Sequence, residues 1–475
     1  MKLKQWIVVA LLLTAARISV AQEKGVMFSG SAVKADLEYL YHTLEDAHYN
    51  LYAYVSKSKY DKMYNTINQS IGKDSLSQLE TIKLFQRLAA AGNVGHSEID
   101  FPVQAYIAFA RGGGALFPLE LAFENGKSFI RKNHSSTPNA AVGDQVLSID
   151  GQPIKKIQEA IHPYLSAERL YFKNAKLEFW SFPRLYWSVF GEKKSFNVTL
   201  KKTNGRTENL KIPALPVMEY ETKRGGEILS IEPSFKYMGA AAYLNPGPFS
   251  SQEADGEARF KAFIDSAFAD LNSKAVKNLV IDLRNNSGGH NAYSDHLISY
   301  FATKPFRWYS SFKLKTSKVL KEQTRKNTPE AKLDDYAKAI LSHQDGEKFA
   351  YDQPFQNPAP EATRFKGNVY VLVNRQTYSM AAVSAALIQD YGFGKIVGEE
   401  TADVPTLYAS QFSFTLPKTG VTVKVPKGYI VRPNGNEALS GVKPDVMVRD
   451  HLLDDEDEIL HHVLNTLLAP NSPLR

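Results

Sequence analysis

The sequence predicts an α/β multidomain protein, and three observations carry that prediction. Its 475 residues exceed what one hydrophobic core organises, so two or three domains are expected. The hydrophobic period changes along the chain, from helical spacing, to short alternating strands, to helices interleaved with wholly apolar strands. Apolar residues make up 43% and charged residues 23%, a globular balance that excludes disorder as the default.

Residues 1–21 read as a signal peptide. Lys2 and Lys4 give a basic start, Trp6 to Leu13 an apolar run, and Ser19-Val20-Ala21 the small residues of a cleavage site, so the mature chain is expected to begin at Gln22. The run falls short of the roughly 20 residues a spanning helix needs, so membrane association is not required. The chain has no cysteine, which excludes a disulfide framework, a cysteine nucleophile and a lipid-modified cysteine after the signal. Export without disulfides points to a bacterial periplasm or to secretion by a bacterium. Loss of Lys2, Lys4 and Arg17 takes the formal charge from +7 to +4. That is too mild to suggest a nucleic-acid partner, and no basic block with interleaved aromatics appears.

Between 31 and 92 the spacing predicts helices. Val33, Leu37, Leu40, Tyr41 and Leu44 make one apolar face, and Leu79, Ile82, Leu84, Phe85 and Leu88 another. Gly92-Asn93-Val94-Gly95 then breaks the helix. From 104 to 212 strands are expected: Leu116 to Leu121 after Gly112-Gly113-Gly114, a strand within 142–151 closed by Asp150-Gly151, and Phe196 to Leu200 with Leu210 to Ile212 around Asn204-Gly205. From 213 onward the pattern is α/β, with buried strands at Asn278 to Leu283 and Val369 to Val373. A hairpin is expected from Phe412 to Leu416 and Val421 to Val425, a surface insertion over 315–365, and an amphipathic helix from Asp454 to Leu468.

Two segments carry candidate chemistry. Asp282-Leu283-Arg284-Asn285-Asn286-Ser287-Gly288-Gly289 ends a buried strand in glycines, whose backbone can approach a ligand and present N–H groups to a negative oxygen. Taken alone, the pair also reads as a tight turn. Asn374-Arg375-Gln376-Thr377-Tyr378-Ser379-Met380 also follows a buried strand and opens a helix crowded with alanines. A serine there lies at the carboxyl end of a sheet, beside unpaired helix N–H groups. It also reads as a helix cap, and the nucleophile-elbow pattern with flanking glycines is absent.

The strings NLVIDLRNNSGG (278–289), VNRQTYSMAAVSAAL (373–387) and GVKPDV (441–446), in that order, resemble the C-terminal processing, or tail-specific, serine protease family. The segment 142–151 resembles the core of the PDZ domain those proteases carry. The resemblance implies an N-terminal helical domain over 22–103, a PDZ-like, β-rich, peptide-binding domain over 104–212, and a crotonase/ClpP-like α/β protease core over 213–475. It further implies Ser379 as nucleophile and the backbone N–H groups of Gly288, Gly289 and Met380 as oxyanion hole. Protein or peptide substrates follow, their C-termini among them, with the amides of Gly113 and Gly114 offered to the terminal carboxylate. No metal or organic cofactor is implied, and the histidines lack His-Glu-x-x-His spacing.

One departure selects the branch. Many members use a Ser-Lys dyad, but Val404 stands where that lysine would be, and Lys395 precedes the matching motif. A second branch resembles the tricorn protease core and uses a histidine from the region before the PDZ domain. Gly95-His96-Ser97 matches that region, which implies His96 as base; imidazole suits the activation of a serine near neutral pH. His96 also reads as an ordinary structural histidine, and His290, beside the glycine pair, is a rival. Glu437, just before Gly441, is the candidate third member, and reads equally as a loop glutamate in solvent. The sequence therefore predicts an exported serine endopeptidase working through an acyl-enzyme. The alternatives are a peptide-binding protein that has lost hydrolysis and a serine hydrolase acting on a non-peptide ester.

Overall fold

The computed structural model describes residues 26–225 and 232–468. The signal-peptide reading of 1–21 lies outside the described residues. The chain forms two compact units. One holds the described residues up to 225 with Lys315–Lys348 and Tyr408–Gly428; the other holds the rest.

In the first unit, helices Gly30–Ala47, Lys57–Ser70 and Gln78–Ala90 begin at Ser29, Ser56 and Ser77, whose side chains each accept a first-turn N–H. Ser77 and Glu80 complete a capping box. The first predicted face is buried and the second is buried at Phe85 and Leu88, with Leu79, Ile82 and Leu84 partly covered: Val33, Leu37, Leu40 and Leu44 pack with Phe85 and Leu88. The same core takes in Phe414, Val423 and Val425 of the hairpin and Val319. The hairpin strands, Leu407–Thr415 and Thr422–Val431, outrun their predicted ends. Its turn is tied down by Asp36, whose buried carboxylate accepts the Lys418 and Thr419 amides and the Thr419 hydroxyl at 2.7–3.2 Å. The expected surface insertion needs correction. Residues 315–348 form helices Lys318–Asn327 and Asp335–Ser342 within this unit, burying Val319, Leu320, Ala337 and Ile340. Helices this short anchor through two apolar residues each, too few to stand out from a charged composition.

Also in this unit is an antiparallel sheet in the order Thr207–Pro213, Ser195–Lys201, Gln145–Ile149, Lys127–Asn133, Leu119–Glu124. Asp150 and Gly151 both have positive φ, 50° and 75°, and the chain folds back so that Gln152 pairs with Ile149, as the Asp-Gly signal predicts. Strands are not the whole of 104–212. Helices Ile154–Ile161, Leu170–Phe179 and Phe182–Phe190 intervene, and Phe182 and Tyr186 pack with Phe117 and Phe196 in an aromatic core.

The second unit is built on a sheet in the order Ser234–Met238, Ala241–Asn245, Asn278–Asp282, Asn368–Val373, Lys395–Gly398, Val446–Met447. The first pair is antiparallel and the remaining pairs are parallel. Leu279, Val280 and Ile281 pair with Val369, Tyr370 and Val371, a doubly buried apolar run of the kind parallel sheets require. Helices Gly256–Ser273, Asn291–Ser299 and Met380–Tyr391 belong to this unit. The expected helix at 454–468 is shorter. It runs from Glu458 to His462, is capped by Asp457, and continues as a π turn, Val463–Leu467. Ile459, Leu460, Val463 and Leu467 pack on Tyr370, Leu372 and Val397 of the sheet. Among the described residues no helix is long and apolar enough to cross a membrane.

Candidate active site

Parallel pairing brings the carboxyl ends of three neighbouring strands together, where open α/β sheets place their sites. The loop after Asp282, the loop after Val373 and the loop after Gly398 meet there. The first two are stitched by side chains. Asn374 Nδ2 donates to Asn285 Oδ1 at 2.9 Å, Asn374 Oδ1 accepts the amides of Asn285 and Gln376, and the Thr377 hydroxyl donates to Leu283 O at 2.9 Å. Arg375 forms a buried ion pair with Glu399 at 2.8 Å, anchoring the third loop to the second.

Ser379 ends the Val373 loop and is the residue before helix Met380–Tyr391. Its φ of 53° and ψ of −126° are rare for a residue with a side chain and cost about 1–3 kcal/mol, a cost that the surroundings must hold in place. This is a sharp, strained strand-to-helix turn, made without flanking glycines. Two contacts hold it. The Tyr378 amide donates to Asn286 O at 3.0 Å, and the Ser379 amide donates to Asp403 Oδ2 at 2.7 Å. Ser379 is half-buried, while Ala381, Ala382, Ala385 and Ala386 behind it are fully buried.

Gly288 is where the glycine loop touches this turn. A Cβ on Gly288 would lie 2.6 Å from Met380 N, 2.7 Å from Tyr378 O and 2.9 Å from Ser379 Cβ, so only glycine fits. Its own amide is spent on Asn286 Oδ1 at 2.9 Å. Asn286 also donates through Nδ2 to Gly247 O at 2.9 Å, making it the hub of the loop. Gly289, at φ 140°, lies against Phe249 O, which a Cβ would approach to 2.1 Å.

His96 belongs to the first unit. It is 2% exposed, in a segment clamped on both sides. The Gly95 amide donates to Glu168 Oε1 at 2.7 Å, and Lys176 Nζ donates to Gly95 O at 3.0 Å and to Glu98 Oε1 at 2.7 Å. Gln411 Nε2 holds His96 O at 2.7 Å, and Glu98 and Ile99 pair with Lys424 and Val423 of the hairpin. Burial pushes the His96 pKa down to about 4; Glu98 opposes the shift and Lys176 adds to it. The imidazole is therefore neutral, and able to accept a proton, throughout the neutral range.

The remaining candidates stand as follows. His290 is exposed at the start of helix Asn291–Ser299. Glu437 is an exposed loop residue of the second unit, where Tyr429 donates a hydrogen bond to Oε2 at 2.6 Å. The expectation that Gly113 and Gly114 offer amides to a carboxylate is corrected. These N–H groups donate to Ala110 O and Phe109 O at 3.1 and 2.9 Å, closing helix Val103–Arg111. A glycine run beside a helix satisfied the helix end first. Val404 is buried, as an apolar residue in the place of a lysine should be, and Lys395 is exposed.

Sequence reasoning missed Asp403. It is fully buried, and only its place beside Val404, 24 residues beyond the serine, could have drawn attention to it. It also missed Lys427, whose ammonium donates to Ser410 O at 2.8 Å and whose pKa burial lowers to about 7.

The sequence pattern of Peptidase family S41 matches residues 243–448. No curated protein sequence matches the chain. Among solved structures, mature CPAF is similar over 88% of this chain and 92% of its own, at 14% identity and a TM-score of 0.60, a likeness of fold. The photosystem II D1 C-terminal processing protease aligns over 91% of this chain and 97% of its own at 17% identity and a TM-score of 0.45. The matched residues 243–448 include the glycine loop, the strained serine and the loop that holds it; over that part the chain is similar to Peptidase family S41, and it is a serine-type peptidase resembling the C-terminal processing kind.

Proposed function

We propose that the protein is an exported endopeptidase that cleaves polypeptides through an acyl-enzyme on Ser379, with His96 as general base. The observation that carries this is the strained Ser379 turn, held against Gly288 at the start of a helix. Ser379 Oγ attacks the scissile carbonyl carbon as its proton passes to the neutral imidazole of His96. The imidazolium then returns that proton to the leaving amine, and water repeats the sequence on the ester. Because the Gly288 amide is engaged by Asn286, the oxyanion is assigned to the amides of Gly289 and Met380, the latter one of the orphan donors of the helix start. What supports His96 is the match of Gly95-His96-Ser97 to the histidine-using branch and the clamped backbone that fixes it. Glu437 is retained as the group that orients the imidazole. The PDZ-like region 104–212 is proposed to take peptide tails, without help from the Gly113 and Gly114 amides. Export follows from the signal segment ending near Ala21.

Turnover of a peptide substrate by His96→Ala and by His290→Ala, with folding checked for each, tests the assignment. Loss in His96→Ala alone is expected. A dead His290→Ala beside an active His96→Ala would move the base to His290, and two active variants would remove histidine from the mechanism.

A further inference from the structure

We propose that Asp403 is a positioning residue for the nucleophile: its carboxylate holds the Ser379 backbone in the conformation that presents the hydroxyl. The proposal rests on Ser379 being the nucleophile.

The two oxygens of Asp403 have separate tasks. Oδ2 accepts the Ser379 amide at 2.7 Å and Oδ1 accepts the Val404 amide at 2.9 Å. The residue is 0% exposed, so its bond to the Ser379 amide is made away from competing water. The amide it holds belongs to a residue at φ 53°, where a side chain is unfavourable. Serine has none of glycine's tolerance of that φ, so the bond supplies part of what keeps the turn from relaxing.

Asp403 is itself fixed from the far side. The Thr401 hydroxyl donates to Asp403 O at 2.8 Å and accepts the Val442 amide at 2.9 Å, while the Thr401 amide donates to Val442 O at 3.2 Å. Gly441 has no room for a side chain, since a Cβ there would lie 1.8 Å from Thr401 O. The Gly441-Val442 segment thus grips Thr401, Thr401 grips Asp403, and Asp403 grips Ser379. That gives the GVKPDV string a physical task at the site, and it explains why a carboxylate stands next to the position where a lysine would have been a base.

Asp403→Asn keeps the volume but can accept at only one of the two oxygens. It therefore separates a hydrogen-bonding role from packing. Single-turnover labelling of Ser379 by a fluorophosphonate and steady-state peptide turnover are measured for wild type, Asp403→Asn, Asp403→Ala and Thr401→Val. Both Asp403 variants are expected to lose about 10²-fold in labelling rate and in kcat, the cost of a misplacement of about 1 Å, with KM unchanged. Thr401→Val, which keeps Asp403 and its two acceptors, is expected to lose less in the same direction, and it stands in should the Asp403 variants fail to fold. Wild-type labelling rates in a folded Asp403→Asn, or in Thr401→Val when neither Asp403 variant folds, would overturn the positioning role. Absence of any label on wild-type Ser379 would instead overturn the nucleophile assignment.

Discussion

Replacing Gly288 by alanine should disable the enzyme while leaving it folded, and the size of the effect follows from two separable terms. The first is conformational. Gly288 has φ +75°, and a side chain in the left-handed region costs about 1 kcal/mol. The second is steric. The new methyl would lie 2.6 Å from Met380 N, about 0.8 Å inside the 3.4 Å of ordinary contact, and 2.9 Å from Ser379 Cβ. All of the crowded atoms belong to the serine turn, two of them to its backbone, so the turn must shift by most of that gap. A misplacement of that order costs about 10²-fold in rate. Gly113 supplies the control. Its φ is +80° and nothing lies within 4 Å of its absent Cβ, so Gly113→Ala meets the conformational term without the steric one. Turnover, fluorophosphonate labelling and urea unfolding are compared for both variants. The expected result is a small loss of stability in Gly113→Ala, a larger one in Gly288→Ala, and activity lost only in Gly288→Ala. Equal activity in the two would refute the claim that the glycine loop and the serine turn are in working contact.

The pH profile follows from His96. Since burial lowers its pKa from 6.5 to about 4 and only the neutral ring accepts a proton, single-turnover labelling should hold through pH 6 and fall as pH drops through about 4; an inflection near 6.5 would contradict the buried-base reading. The same shift makes the unfolded chain bind a proton below 6.5 that the native protein refuses until about 4, so His96→Ala should flatten the fall of stability with decreasing pH across that window. Lys395→Ala, at an exposed strand start, should keep turnover to within about twofold, and a loss as deep as that from Ser379→Ala would restore a Ser-Lys mechanism. Asp36→Ala strands two amides and a hydroxyl of the hairpin turn and should cost about 3 kcal/mol, read as a lower urea midpoint.

The sequence showed what periodicity and apolar runs encode. The faces of helices Gly30–Ala47 and Gln78–Ala90, the two central strands and the serine turn were readable because burial writes itself into residue type at fixed spacing. The helices at 154–190 were not, because the strand signals on either side dominated the reading of that region. Val319 and Ile340 were hidden for the same kind of reason, being single apolar anchors in charged surroundings. At the site, the glycines could be found but not their commitments. Whether a glycine amide faces a ligand or its own helix depends on which carbonyl lies nearest, and Gly113, Gly114 and Gly288 all found an internal partner. Asp403 was silent because a lone buried aspartate has no pattern; its meaning comes only from the amide it meets.

The central claim is that Ser379 is the nucleophile. The most direct test is to react the mature protein with a fluorophosphonate and locate the adduct by peptide mass, beside Ser379→Ala assayed for peptide hydrolysis. One adduct, on Ser379, is predicted, with Ser379→Ala folded but inert toward both probe and peptide. An adduct on another residue, or a Ser379→Ala protein that still cleaves peptide, would contradict it.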